Sequence, residues 1–167
     1  AKQAGISAII SADMAAILYA RQIGQEVHIS TQVNVANADA VRFYSQFADV
    51  MVLARELNME QVKGITDQIR DEDIKGPNGE PVRIEMFCHG ALCMAVSGKC
   101  YMSLHQMNSS ANRGACNQIC RRAYVVTDKD TGQELEVDNQ YIMSPKDLKT
   151  IHFLNKMVDA GVRVFKI

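Results

Sequence analysis

The sequence predicts an α/β protein built on a parallel sheet: the C-terminal part of a (β/α)8 TIM-type barrel. Three observations lead there. Short apolar runs alternate with amphipathic stretches at roughly 20 to 30 residue intervals, the period of βα units. The runs are almost continuously aliphatic, as in strands covered on both faces. An open doubly wound sheet and a barrel both fit this pattern, and no Gly-x-Gly-x-x-Gly follows any of the runs to support a dinucleotide-binding protein.

Ile6 to Ser11 reads as the first strand. Asp13 is placed to cap a helix running to about Ile23, with Met14, Ile17 and Leu18 spaced by three or four, and Gly24 ends it. Val27 to Ser30 is a second strand and Asp39 to Phe47 a helix carrying Val41, Phe43, Tyr44 and Phe47. Val50 to Leu53 is a third strand, and Asn58 caps a helix with Met59, Val62, Ile65 and Ile69. The turn Gly76-Pro77-Asn78-Gly79 leads into a fourth strand, Val82 to Phe87.

The alternation then breaks. A single domain over 1–167 is expected to carry a cysteine-rich insertion over 88–143. Inside it, Ala123 to Thr127 and Glu134 to Val137 flank Asp130-Thr131-Gly132, a hairpin signal. Ser144 as cap and Pro145 in the first turn start a helix with Leu148, Ile151, Leu154, Met157 and Val158 on its apolar face; Gly161 closes it and Val162 to Ile167 is the last strand. Five strands fall short of the eight that close a barrel. A terminal apolar strand with an open edge is exposed to pairing. The expectation is therefore a barrel truncated at both ends, with association of a second copy as the way to cover its edges.

The chain is 47% apolar and 22% charged with a formal net charge of −1, a balance that gives no overall pull toward nucleic acid or membrane. Arg113, Arg121 and Arg122 nevertheless cluster, and such a group suits phosphates. No apolar run approaches the roughly 18 residues of a membrane span. With no secretory leader in view, a cytoplasmic protein is expected.

All five cysteines lie between Cys88 and Cys120, an odd number for a disulfide framework. The spacing Cys93-x6-Cys100-x15-Cys116-x3-Cys120 admits three readings. Thiolates select zinc, copper(I) or iron–sulfur clusters. Zinc knuckles separate paired cysteines by about two to four residues, which only Cys116 and Cys120 approach. A cubane cluster gathers cysteines from more widely separated turns. Buried, inert thiols are the third reading.

The run Glu85-Met86-Phe87-Cys88-His89-Gly90-Ala91-Leu92-Cys93, followed by Ser97-Gly98-Lys99-Cys100-Tyr101-Met102-Ser103, resembles the signature of peptidase family U-thirty-two, the collagenase-like proteases. Asn112-Arg113-Gly114-Ala115-Cys116 and Cys120-Arg121 resemble the segment that follows it. So do Ser30-Thr31-Gln32, Leu53-Ala54-Arg55-Glu56-Leu57, Ser144-Pro145-Lys146-Asp147-Leu148 and the terminal Phe165-Lys166-Ile167. The resemblance implies two activities. One is the peptidase of the family's name. The other is oxygen-independent hydroxylation of a transfer RNA uridine, a ribosomal RNA cytidine or a ubiquinone precursor. It further implies a 4Fe-4S cluster on Cys93, Cys100, Cys116 and Cys120, with Cys88 outside the set, and prephenate as hydroxyl donor in the transfer RNA branch.

Barrel chemistry sits at the C-terminal ends of strands. The residues there are Asp13, Gln32, Asn34, Arg55, Glu56 and His89, of which Arg55, Glu56 and His89 are the candidates for a substrate pocket and Arg113, Arg121 and Arg122 for RNA contact. Asp13 is better read as a helix cap and Gln32 and Asn34 as loop hydrogen-bonders. Glu85, inside a strand, needs a partner if buried. No His-Glu-x-x-His or Gly-x-Ser-x-Gly is present to support a peptidase, and a four-thiolate zinc domain binding RNA without reaction is the remaining alternative.

Overall fold

A computed structural model describes residues 2–137, 143–144 and 146–167. The chain divides into two compact units, Ala1–His89 with Lys149–Ile167, and Gly90–Leu148.

The first unit is a five-stranded parallel sheet with helices in the connections. Its strands are β1 (Ala8–Ser11), β2 (Glu26–Ile29), β3 (Val50–Val52), β4 (Arg83–Phe87) and β9 (Val162–Lys166), in the order β1-β2-β3-β4-β9. Helix α1 (Met14–Gln22) follows β1, with the Asp13 carboxylate accepting from the Ala16 N–H at 2.8 Å. Helix α2 (Ala38–Tyr44) is capped by Asn37. Helix α3 (Met59–Asp71) opens on a reciprocal capping box between Asn58 and Gln61.

Side chains alternate across a strand, so each strand feeds two faces. Val27, Ile29, Met51 and Ile84 join Ile17, Val41, Val62, Ile65, Ile69 and Met157 in the helix-side core. The other face carries His28, Val50, Val52 and Glu85; the two valines are fully buried although outside that core.

The strand β9 departs from simple alternation. Ile84 pairs with Val162 but Glu85 pairs with Val164, so one extra residue is accommodated between them. Unbroken alternation would send Val162, Val164 and Lys166 to one face. The irregularity instead leaves Val162 and Phe165 with the core and turns Lys166 toward Glu85, the re-aiming for which bulges are known.

At the other end of the sheet, Asp49 accepts from the Asn78 N–H and side-chain amide at 3.0 and 2.9 Å, pinning the turn before β4. Gly76 has no room for a side chain there: a Cβ would stand 2.3 Å from Asp49 Oδ1.

The helix read as starting at Ser144 begins later. After a 3-10 turn at Ile151–Phe153, helix α5 spans only Leu154–Asp159. Ser144 is buried with its hydroxyl donating to the Leu92 carbonyl, and Leu148–Lys149 is extended (β8), not helical. Pro145 lies outside the described residues.

The second unit follows β5 (His89–Gly90) and contains helix α4 (Met102–Met107), 3-10 turns at Ala111–Arg113 and Ile119–Arg121, and the antiparallel hairpin β6 (Tyr124–Thr127) with β7 (Glu134–Val137). The hairpin loop is organised by Asp128, whose carboxylate accepts from the Asp130 and Thr131 N–H groups at 2.9 and 2.8 Å. These bonds hold the Asp128 carboxyl below its ordinary range. Among the described residues no helix is long and apolar enough to cross a membrane.

Candidate functional site

Chemistry-bearing side chains collect in two places, one in each unit. In the Gly90–Leu148 unit, Cys93 lies in the loop after β5, Cys100 just ahead of α4, Cys116 two residues past Gly114, and Cys120 inside the Ile119–Arg121 turn. Cys93 and Cys116 are exposed, Cys100 and Cys120 half-buried, and none is in a disulfide. Burial pushes the Cys120 thiol up. A hydrogen bond with Ser144 opposes this, and the thiols of Cys93 and Cys116 push in the same direction as burial. Among the described residues no group of three or more His, Cys, Asp or Glu side chains is arranged to hold one metal ion.

Polar bonds hold these loops. The Asn112 amide donates to the Gly98 carbonyl at 2.9 Å, Ser109 Oγ to the Ala115 carbonyl at 2.8 Å, and the Asn117 N–H to Ser103 Oγ at 3.0 Å. The Tyr124 hydroxyl donates to the Ile119 carbonyl and Arg121 pairs with Asp147. Gly98 and Gly114 hold φ of +79° and +82°, where a side chain is strained. Among the described residues Ile119 is the one buried hydrophobic of this unit. Segments below roughly 70–80 residues with so little core need a staple, such as a disulfide or a metal centre. Four soft donors in a polar unit without a disulfide fit a metal–sulfur centre by type.

The predicted RNA contacts separate: Arg113 and Arg122 are exposed, while Arg121 is half-buried against Asp147. Of the predicted pocket residues, Arg55 is half-buried with its guanidinium 5.7 Å from the Phe87 ring centroid, and Glu56 and His89 are exposed. Asp13 is the cap of α1. Gln32 is exposed in the 3-10 turn Thr31–Val33, which Asn34 ends in a left-handed conformation.

The sequence reading asked for a partner to a buried Glu85 without naming one. Glu85, only 4% exposed, accepts from His28 Nδ1 at 3.1 Å and from Lys166 Nζ at 3.2 Å. His28 Nε2 lies 3.4 Å from Glu26, which pairs in turn with Arg83 at 3.1 Å. The hydrogen bond from His28, more than the nearby Lys166 charge, holds the Glu85 carboxyl below its ordinary range against the opposing effect of burial. The signal in the sequence was a pair of polar residues at alternate positions of each of two strands, Glu26 and His28 in Glu26–Ile29 and Arg83 and Glu85 in Arg83–Phe87. A cavity of about 840 Å3 lies at the opposite, N-terminal end of β4 and β9, beside Lys63, Thr66, Asp67, Arg70, Asp159 and Arg163. In barrel-type sheets that end serves stability, not chemistry.

The fold and the clustered thiols define an α/β protein with a parallel sheet and a cysteine-bearing second unit. The chain belongs to Peptidase family U32, which matches it over residues 1–167. It is 72% identical over 167 residues to a protein of Porphyromonas gingivalis named collagenase, covering 100% of this chain and 40% of that one. It is 40% identical over 166 residues to the 23S rRNA 5-hydroxycytidine C2501 synthase of Escherichia coli, covering 99% and 23%. It is 35% identical over 171 residues to tRNA hydroxylation protein P1 of Bacillus subtilis, covering 98% and 38%. The chain thus spans less than half the length of these curated relatives. No solved structure matches it.

Proposed function

We propose that the whole protein is an oxygen-independent hydroxylase of RNA, acting on a transfer RNA uridine or a ribosomal RNA cytidine. In this reading Cys93, Cys100, Cys116 and Cys120 hold a 4Fe-4S cluster in the Gly90–Leu148 unit. What supports it is that Cys93, Cys100, Cys116 and Cys120 are all free thiols in one compact unit whose described residues include a single buried hydrophobic. The relatives named for ribosomal and transfer RNA hydroxylation support the substrate class. A bound cluster supplies one-electron chemistry. This chain's residues bind and orient: Arg113 and Arg122 present cations to phosphates, Arg55, Glu56 and His89 line the substrate side, and prephenate is the hydroxyl donor. The order β1-β2-β3-β4-β9 follows the chain with no switch point, which supports the wall of a barrel over a doubly wound sheet.

The collagenase name of the 72% identical relative favours a peptidase as second reading. A thiol peptidase needs a cysteine activated by a histidine. Cys88 precedes His89 in the chain, but its Sγ lies 3.3 Å from the Lys166 carbonyl. The test is full-length protein assayed under anaerobic conditions on RNA from a strain lacking it, with hydroxylated nucleosides read by mass spectrometry, and in parallel on denatured collagen. Hydroxylated uridine or cytidine that disappears in the four Cys→Ala variants supports the proposal. Collagen cleavage that survives all four replacements, with RNA unmodified, overturns it.

A further inference from the structure

Away from the cysteines, the sheet face opposite the helices holds a continuous row of ionisable side chains: Arg83, Glu26, His28, Glu85 and Lys166. The row crosses from β2 to β4 over β3, which is feasible because β3 offers only Val50 and Val52 on that side. Val50 lies in register with His28, and Val52 with Glu85. Lys166 reaches Glu85 only because of the irregular register on β9. A row needed merely to neutralise charge would close with the two pairs Arg83–Glu26 and Lys166–Glu85. His28 is an extra group inserted between them, its side chain 19% exposed beside a carboxylate that is 5% exposed.

We propose that His28 is a proton-transfer residue, that Glu85 positions it, and that the site takes a substrate with an oxygen that accepts a proton from Nε2. An ionised Glu85 can only accept, so the hydrogen bond between them requires the proton on His28 Nδ1. Nε2 is then the exchangeable position. Protonated, it faces Glu26 Oε1 at 3.4 Å; deprotonated, its lone pair is available to a ligand. In the transfer, the Nε2–H bond breaks with its electron pair staying on the imidazole, and an O–H bond forms on the substrate. Nδ1 keeps its proton and its hydrogen bond to the ionised Glu85 throughout, and Nε2 regains a proton from water. The Lys166 ammonium, 3.2 Å from Glu85, favours the ionised carboxylate and so keeps the acceptor that fixes the proton on Nδ1. This assignment rests on the sheet geometry and does not require the hydroxylase reading.

The experiment uses full-length protein with 15N-labelled histidine, as wild type and as the variants His28→Asn, His28→Gln and Glu85→Gln, each first checked for a cooperative melt. Imidazole NMR of wild type is expected to show His28 protonated at Nδ1, and Glu85→Gln to lose that preference. His28→Asn retains a donor at the Nδ1 position for Glu85 but has no group that titrates near neutral pH, so a purely structural role is rescued by it and a proton-transfer role is not. In the RNA assay both His28 variants are expected to lose about a hundredfold or more in kcat, with KM nearly unchanged and one limb of the pH profile gone. Full activity in His28→Asn, or His28 protonated at Nε2 and not at Nδ1 in wild type, overturns the proposal. An inactive wild type defeats the hydroxylase reading, and the NMR result then decides this one.

Discussion

Replacing Glu85 by alanine tests the energetics of the polar face directly. The carboxylate is 5% exposed and is the shared acceptor of His28 and Lys166, at 3.1 and 3.2 Å. Removing one member of a buried ion pair costs about 3–5 kcal/mol, because the partner's charge is left behind. Here His28 and Lys166 retain 19% and 22% of their side-chain exposure, so water recovers part of that cost. The expected loss is about 2–3 kcal/mol at pH 7. The pH dependence has a fixed sign. Glu85 titrates lower in the folded state than its ordinary carboxyl range, so the unfolded chain binds the proton more readily. Its contribution is fully present above the unfolded value of about 4.3 and is lost as pH falls through the folded value below that. Urea unfolding of wild type and Glu85→Ala, at pH 7 and at successive steps below about pH 4, reads the difference between the two proteins and so cancels carboxylates they share. A loss under about 0.5 kcal/mol at pH 7, the range of surface substitutions, would refute the reasoning, as would a difference that grows toward acid.

Gly161→Ala is expected to destabilise by about 2–4 kcal/mol, because φ is +93° and the new Cβ would meet Thr66 Cβ and Oγ1 at 2.7 Å; thermal unfolding checks this. Asn58→Ala removes the capping box of α3 and is expected to cost about 1 kcal/mol, with faster amide exchange confined to the first turn of that helix. Tyr124→Phe leaves the ring but deletes the donor to the Ile119 carbonyl; a loss of about 1 kcal/mol, visible as faster exchange within Gly90–Leu148, is expected.

The parallel sheet was legible because aliphatic runs and helix caps are local signals: Val50 to Val52 is buried throughout, and Asn58 caps as its spacing with Gln61 suggests. Ser144 was misread for the complementary reason. Its role is set by the Leu92 carbonyl, an acceptor 52 residues away that no local pattern announces. The polar face was illegible on two counts. His28 and Glu85 are 57 positions apart and Glu85 and Lys166 81 apart. In addition, the register shift on β9 reverses the parity that alternation assigns to Lys166. The cysteine spacing admitted three readings, because how the turns around Gly98, Gly114 and Gln118 fold back, each at a positive φ, is not written in the spacing.

The central claim is that four thiolates of the Gly90–Leu148 unit carry an iron–sulfur centre. It is tested most directly by the iron and acid-labile sulfide content of full-length protein purified without air, together with its absorbance near roughly 400 nm. About four irons and four sulfides per chain, abolished by Cys120→Ala, are expected. About one zinc per chain with no sulfide, or iron content indifferent to all four cysteines, would contradict the claim.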